Sequence, residues 1–299
     1  MFENHILSFE ELEQEIKNIA LLYPNILVGI FGESEDNRPL YELEIGSGEK
    51  AVIILGGVHG RESVNPAVLL QIVRDIGYLF EQEDPVVTDL LKEYRIIFIP
   101  LLNPDGYEIA RAGFSAIQNE KLRNEAIEKN ISSIEWKANA RGVDLNRNFP
   151  SISYQAESEE DYAGSEAESR ALIRLIRENT NAGMLDFHSR GEVIYYYRKA
   201  MGDVYNARQL RLAQYLAEES GYSLGTAEDE FAGDGIGGNT VHFYSEYTKM
   251  PAITVETAPS LAELPLSPYL QGIVYEQIKN LPMVFLMGLK TLEMENVLS

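Results

Sequence analysis

The 299-residue chain contains no cysteine, which excludes disulfides, thiolate nucleophiles and cysteine-ligated zinc together. Histidine is scarce as well: only His5, His59, His188 and His242 are available for imidazole chemistry. Basic residues are few, 25 Lys+Arg against 47 Asp+Glu, for a net charge of −22. Such a chain repels phosphate backbones and anionic lipid, and no Lys/Arg-rich stretch offsets it, so nucleic acid and membrane surfaces are excluded as partners. No run approaches the ~18 apolar residues of a spanning helix. The opening MFENHILSFEELEQEI places acids where a secretory signal has a basic start and an apolar core, which predicts a cytoplasmic protein unless a signal was trimmed. Repeats, linkers and low-complexity tracts are also missing, so residues 1–299 read as one domain. What is present is 45% hydrophobic residues, enough to bury a large core and to exclude disorder as the overall state.

Ser8 followed by Glu11 has capping-box spacing, and Leu12, Ile16, Ile19 and Ala20 share a face, which predicts a helix over 8–23. Strands are predicted at 26–31, 40–45 and 51–55, followed by a helix over 65–80 with Pro66 in its first turn. RIIFIPLL predicts a buried strand over 95–102, and similar short strands fall at 184–187 and 252–255. Helical stretches at 166–178 and 205–220 separate them. Strands alternating with helices imply an α/β fold around a parallel or mixed sheet, in which polar residues just past strand ends form the ligand site.

Four segments place reactive side chains at such positions. In GGVHGRES, His59 and Glu62 stand three apart just after a strand, where an imidazole and a carboxylate can converge as two ligands of a zinc site. Taken alone, the spacing is weak and favours a surface His/Glu pair. His188 in MLDFHSR ends another buried strand, as a third ligand or a satisfied core residue. Glu256 in PAITVETA is a carboxylate appended to a third, costly to bury unless paired or beside a metal. GVDLNRNFP collects Asp144, Asn146, Arg147 and Asn148, and Arg147 beside Asn146 suits a carboxylate grip or a salt-bridged loop.

Together, HGRE at 59–62, NPDGY at 103–107, YAG and SEAES within 162–169, GVDLNRNF at 142–149, FHS at 187–189 and TVET at 254–257 resemble the M14-type zinc carboxypeptidases. The resemblance runs from about residue 50 to 260. It implies a central mixed eight-stranded sheet flanked by helices and one Zn²⁺ per chain held by His59, Glu62 and His188. Glu256 is implied as the general base and acid, and Asp144 as the carboxylate orienting the first zinc histidine. Asn146 and Arg147 are implied to bind the substrate's free carboxylate, with Arg61 as an additional cation.

Two segments depart from that family. Its oxyanion-stabilising arginine follows a tryptophan, whereas here Lys137 follows Trp136 in WKAN, with Arg141 nearby as the substitute. No tyrosine occurs from Phe231 to Ile236, where digestive members carry a mobile one, and FAGDGIGG supplies glycines instead. WKAN and GVDLN more closely resemble the bacterial branch that cleaves γ-D-glutamyl-diaminopimelate bonds, so a peptide or muropeptide substrate is expected, with Glu230 or Asp234 to pair with its ammonium. The alternatives are a carboxypeptidase acting on ordinary L-peptides, an N-acyl amino acid deacylase and a peptide-binding module with a decayed site. Of the other residues, His242 is expected to pack on a helix, His5 to be solvated, and Tyr195 to Tyr197 to form strand and pocket wall.

Overall fold

A computed structural model describes residues 2, 4–156, 161–231 and 238–298. The eight strands form one sheet in the spatial order β1 (Leu27–Glu33), β2 (Pro39–Ile45), β4 (Tyr94–Ile99), β3 (Lys50–Gly56), β5 (Thr180–Ser189), β8 (Ala252–Thr257), β6 (Val193–Tyr195) and β7 (Ser223–Leu224). β4, β3, β5 and β8 run parallel in the centre, while β2 and β6 flank them antiparallel, which makes the sheet mixed as expected.

Residues of β3 alternate between two apolar layers. Val52 and Ile54 pack with α1 (Phe9–Leu22), α2 (Asn65–Glu81), α3 (Pro85–Glu93), α7 (Asp203–Ser220), α9 (Leu270–Ile278) and α10 (Leu281–Leu298). Ala51, Ile53 and Leu55 face the opposite layer, with α6 (Ala167–Glu178) and α8 (Thr240–Thr248). Because both faces are covered, the central strands read as continuous apolar runs rather than alternating ones.

The capping box at Ser8 forms: Glu11 N donates to Ser8 Oγ at 3.2 Å and Ser8 N to Glu11 Oε2 at 2.6 Å. Predicted boundaries elsewhere hold to within a few residues, with one informative exception. The apolar run 95–102 stops being strand at Ile99, because Pro100 has no N–H for a ladder, and Leu102 N turns back to Gly56 O at 3.1 Å. That turn leads into α4 (Pro104–Ala112), which the sequence reading left unassigned along with α3, α5 (Glu120–Glu128), α9 and α10. Apolar residues fall on most sides of α10, so no single stripe marks it as a helix.

Candidate metal centre and substrate cleft

Three adjacent parallel strands end at one point. His59 follows β3, His188 lies in β5, and Glu256 in β8 pairs in register with His188. Gly57 adopts a left-handed φ of 62° at the exit of β3, and the Cβ of any other residue there would meet Leu101 and the Pro100 carbonyl. The loop is clamped from below by the NPDGY segment. Asn103 Nδ2 donates to the carbonyls of Val58 at 3.0 Å, Lys137 at 3.3 Å and Ala138 at 3.1 Å, while Gly60 lies against the backbone of Gly106. NPDGY therefore holds the HGRE and WKAN loops together rather than contributing chemistry of its own.

Glu62 sits between the two imidazoles. Its Oε1 lies 2.7 Å from His59 Nδ1 and its Oε2 3.1 Å from His188 Nδ1, and Ser189 N donates to Oε2 at 3.0 Å. Each far ring nitrogen faces another carboxylate: His59 Nε2 meets Asp144 Oδ1 at 3.2 Å, and His188 Nε2 meets Asp186 Oδ2 at 3.1 Å. The three donors lie within 4.8 Å of one another. Two imidazoles turned inward by outer carboxylates, plus one inner carboxylate, are the donor set of a zinc site with a position left for substrate. The residues therefore fit Zn²⁺.

The electrostatics follow from burial against pairing. Burial opposes charge on His59, but Glu62 and Asp144 together raise it to about 9. Burial likewise opposes the Glu62 carboxylate, yet the two histidines hold it down at about 2. Asp144 is held well below the usual carboxylate range against its own burial, by His59 and by Lys137, whose Nζ lies 2.7 Å from Asp144 Oδ2. Glu256 lacks such close partners, and burial pushes it up to about 7.

A cleft of about 420 Å³ opens over these groups, lined by His59, His188 and Glu256 and, toward one side, by Lys137, Asp144, Asn146 and Arg147. Asp144 shapes this side by accepting from Asn146 N at 2.9 Å. Asn146 Oδ1 in turn accepts from Thr240 N at 3.2 Å, and Arg147 Nη1 donates to Asn146 O at 2.7 Å. Tyr195 and Tyr197 form the opposite wall, whereas Tyr196 packs into the core, as alternation along an extended segment requires.

Two expected cations do not enter the cleft. Arg61 lies between two inward-turning ligands and points away, with Nη1 3.3 Å from Glu135 O. Arg141 N and Val143 N both bond to Asn139 Oδ1 at 3.1 Å, and the turn sends the arginine to Glu166 at 3.3 Å. Lys137 lines the cleft instead. Glu230 reaches the cleft, paired with His242 Nε2 at 3.2 Å, and His242 lies on α8 as expected. The Asp234 alternative and the glycines from 233 to 237 lie outside the described residues. His5 is exposed and pairs with Glu11.

Sequence reasoning missed Asp186 and Arg198. Asp186 stands two residues before His188 on the same strand face, a signal that strand periodicity carries. It also accepts a hydrogen bond from Thr240 Oγ1. Arg198 carries no comparable signal, because what brings it to the cleft is β8.

Comparison with known proteins agrees with this geometry. The family profile described as zinc carboxypeptidase matches residues 12–261. The uncharacterized protein YqgT of Bacillus subtilis (strain 168) is 31% identical over 208 residues, 64% of this chain and 55% of that protein. The chain thus spans little more than half the length of that relative. Gamma-D-glutamyl-L-diamino acid endopeptidase 1 of Lysinibacillus sphaericus is 25% identical over 94% of this chain and 72% of its own. Carboxypeptidase A from Helicoverpa armigera shares the fold, with a TM-score of 0.73 and 21% identity over 95% of this chain and 74% of that one. No helix among the described residues is long and apolar enough to cross a membrane. With a zinc-type donor set in place and the family profile matched over most of its length, the chain belongs to the zinc carboxypeptidase family.

Proposed function

We propose that the chain hydrolyses the amide bond between γ-D-glutamate and diaminopimelate in cell-wall peptides. The observation that carries the hydrolytic part is that Glu256, strand neighbour of His188, shares one cleft with His59 and His188, the two histidines of the donor set that Glu62 completes. His59, Glu62 and His188 would hold Zn²⁺, which would supply Lewis-acid polarisation of the amide carbonyl and a more acidic water.

The chain's own residues carry the proton and position the bond. Glu256 takes the proton of the attacking water as the new C–O bond forms, then delivers it to the amine nitrogen as the C–N bond breaks. Lys137 sets a positive charge at the cleft edge, where it offsets the developing oxyanion. Asn146 and Arg147 grip the free α-carboxylate of the leaving residue, which fixes the scissile bond one residue away. Diaminopimelate offers that carboxylate. The wall-peptide substrate is supported by the relative from Lysinibacillus sphaericus, whose name specifies a γ-D-glutamyl-L-diamino acid bond.

The same grip serves a C-terminal L-residue, so an ordinary carboxypeptidase is the second reading. Digestion of L-Ala-γ-D-Glu-diaminopimelate and of hippuryl L-peptides, followed by mass spectrometry, separates the two. Release of diaminopimelate at the higher kcat/KM is expected, and faster hydrolysis of hippuryl peptides replaces the wall-peptide reading with the second one.

A further inference from the structure

Arg198 is 4% exposed and yet lines the same cleft as His59, His188 and Glu256. Its Nη1 donates to Tyr197 O at 2.6 Å and its Nη2 to Ala252 O at 2.9 Å, and its buried Nε has no partner. Among the described residues no carboxylate lies within ion-pair distance of it. A guanidinium taken out of water, with carbonyls as its direct partners and carboxylates only at longer range, is a costly arrangement that a bound anion relieves. Beside it stands the opposite charge: the Glu230 side chain is 6% exposed, with one oxygen toward His242 and the other accepting from Lys199 N at 2.6 Å.

We propose that Arg198 is the specificity residue of this cleft, binding a carboxylate at the far end of the leaving residue's side chain, with Glu230 taking an ammonium on the same terminus. The proposal rests on the reading of the cleft as the hydrolytic site. Asn146 and Arg147 hold the α-carboxylate near the reacting bond, so a leaving residue anionic at both ends spans the cleft. Glutamate and diaminopimelate satisfy this, whereas lysine brings an ammonium to a buried cation.

The test varies only the leaving residue, with diaminopimelate, glutamate, phenylalanine or lysine placed on both the γ-D-Glu and the hippuryl scaffolds. The wild-type zinc enzyme is expected to favour the acidic side chains over lysine by about 10 to 100-fold in kcat/KM on whichever scaffold it cleaves. Arg198→Gln is expected to collapse that ratio toward one, and Arg198→Lys to restore part of it. Failure on the γ-D-Glu scaffold alone removes the wall-peptide reading while the hippuryl series still reads Arg198. Equal rates for lysine and diaminopimelate in the wild type, or an unchanged ratio in folded Arg198→Gln, overturn the assignment. Calorimetry of the zinc-loaded protein with free diaminopimelate and free lysine reads the same preference without turnover, and equal affinities overturn it too.

Discussion

Two clusters each bring three possible ligand atoms into metal-binding range, yet the buried glutamate of one, Glu62, and that of the other, Glu168, are shifted in opposite directions. Glu62, between His59 and His188, is held at about 2 despite its burial. Glu168, grouped with Glu35 and Glu166, is pushed by burial and then by Asp105 up to about 8. The difference lies in the neighbours. The first cluster offers two imidazole nitrogens whose far sides are pinned by Asp144 and Asp186. The second spends its oxygens as acceptors: Glu166 and Glu168 both receive Asn139 Nδ2, Glu166 also receives Arg141, and Glu35 receives Ala167 N. It works as a strap behind the WKAN and GVDLN loops. Zinc favours nitrogen donors on fixed rings over converging acids whose oxygens are already spent as hydrogen-bond acceptors.

The largest expected effect comes from removing those donors. Elemental analysis should find about one zinc per chain in the wild type and none in His59→Ala or His188→Ala, because two remaining ligands bind far more weakly. Full occupancy in both variants would remove the distinction between the clusters. Glu256→Gln should keep the metal and the fold and lose roughly 10² to 10⁴-fold in kcat, since an amide cannot accept the proton. A loss of less than tenfold would move the base elsewhere.

Asp144→Asn and Asp186→Asn sharpen the comparison within the first cluster. Each should weaken zinc binding on the order of 10 to 100-fold in competition with a chelator. Asp144 also holds Lys137 at the cleft edge, so its variant should lose additional kcat at saturating zinc, whereas Asp186→Asn should be restored by added zinc. Equal rates for the two at saturating zinc would break that division of labour.

This division shows what was legible in the sequence. HxxE after a strand, a histidine and a glutamate at two further strand ends, and DxNR were visible as candidates from strand ends and spacing, and their joint resemblance to the family supplied the roles expected of them. Asp186 was visible in principle, two residues before His188, but a lone buried Asp has no chemistry until its partner ring is placed. Arg61 and Arg141 sat in the right motifs and faced the wrong way, since a turn's handedness is set by contacts such as those of Asn139 that no local pattern encodes. Arg198 depended wholly on tertiary structure. In the fold, the strands were readable from their apolar runs, while α10 was not, because apolar residues surround it.

The smallest effect belongs to the strap. Between the ordinary glutamate value of 4.5 and about 8, folded Glu168 keeps a proton that the unfolded chain has released, so stability falls as pH rises through that window. Glu168→Gln removes this dependence. Its melting temperature should exceed that of the wild type by a few °C at pH 8, with the gap closing toward pH 5. A gap that is constant with pH would mean that Glu168 titrates near its ordinary value.

The comparison is tested most directly by anomalous scattering at the zinc edge from crystals of the protein grown with stoichiometric zinc. The account predicts one strong peak bounded by His59 Nδ1, His188 Nδ1 and the Glu62 carboxylate, and none at Glu35, Glu166 and Glu168. A peak at the second cluster, or none at the first, would contradict it.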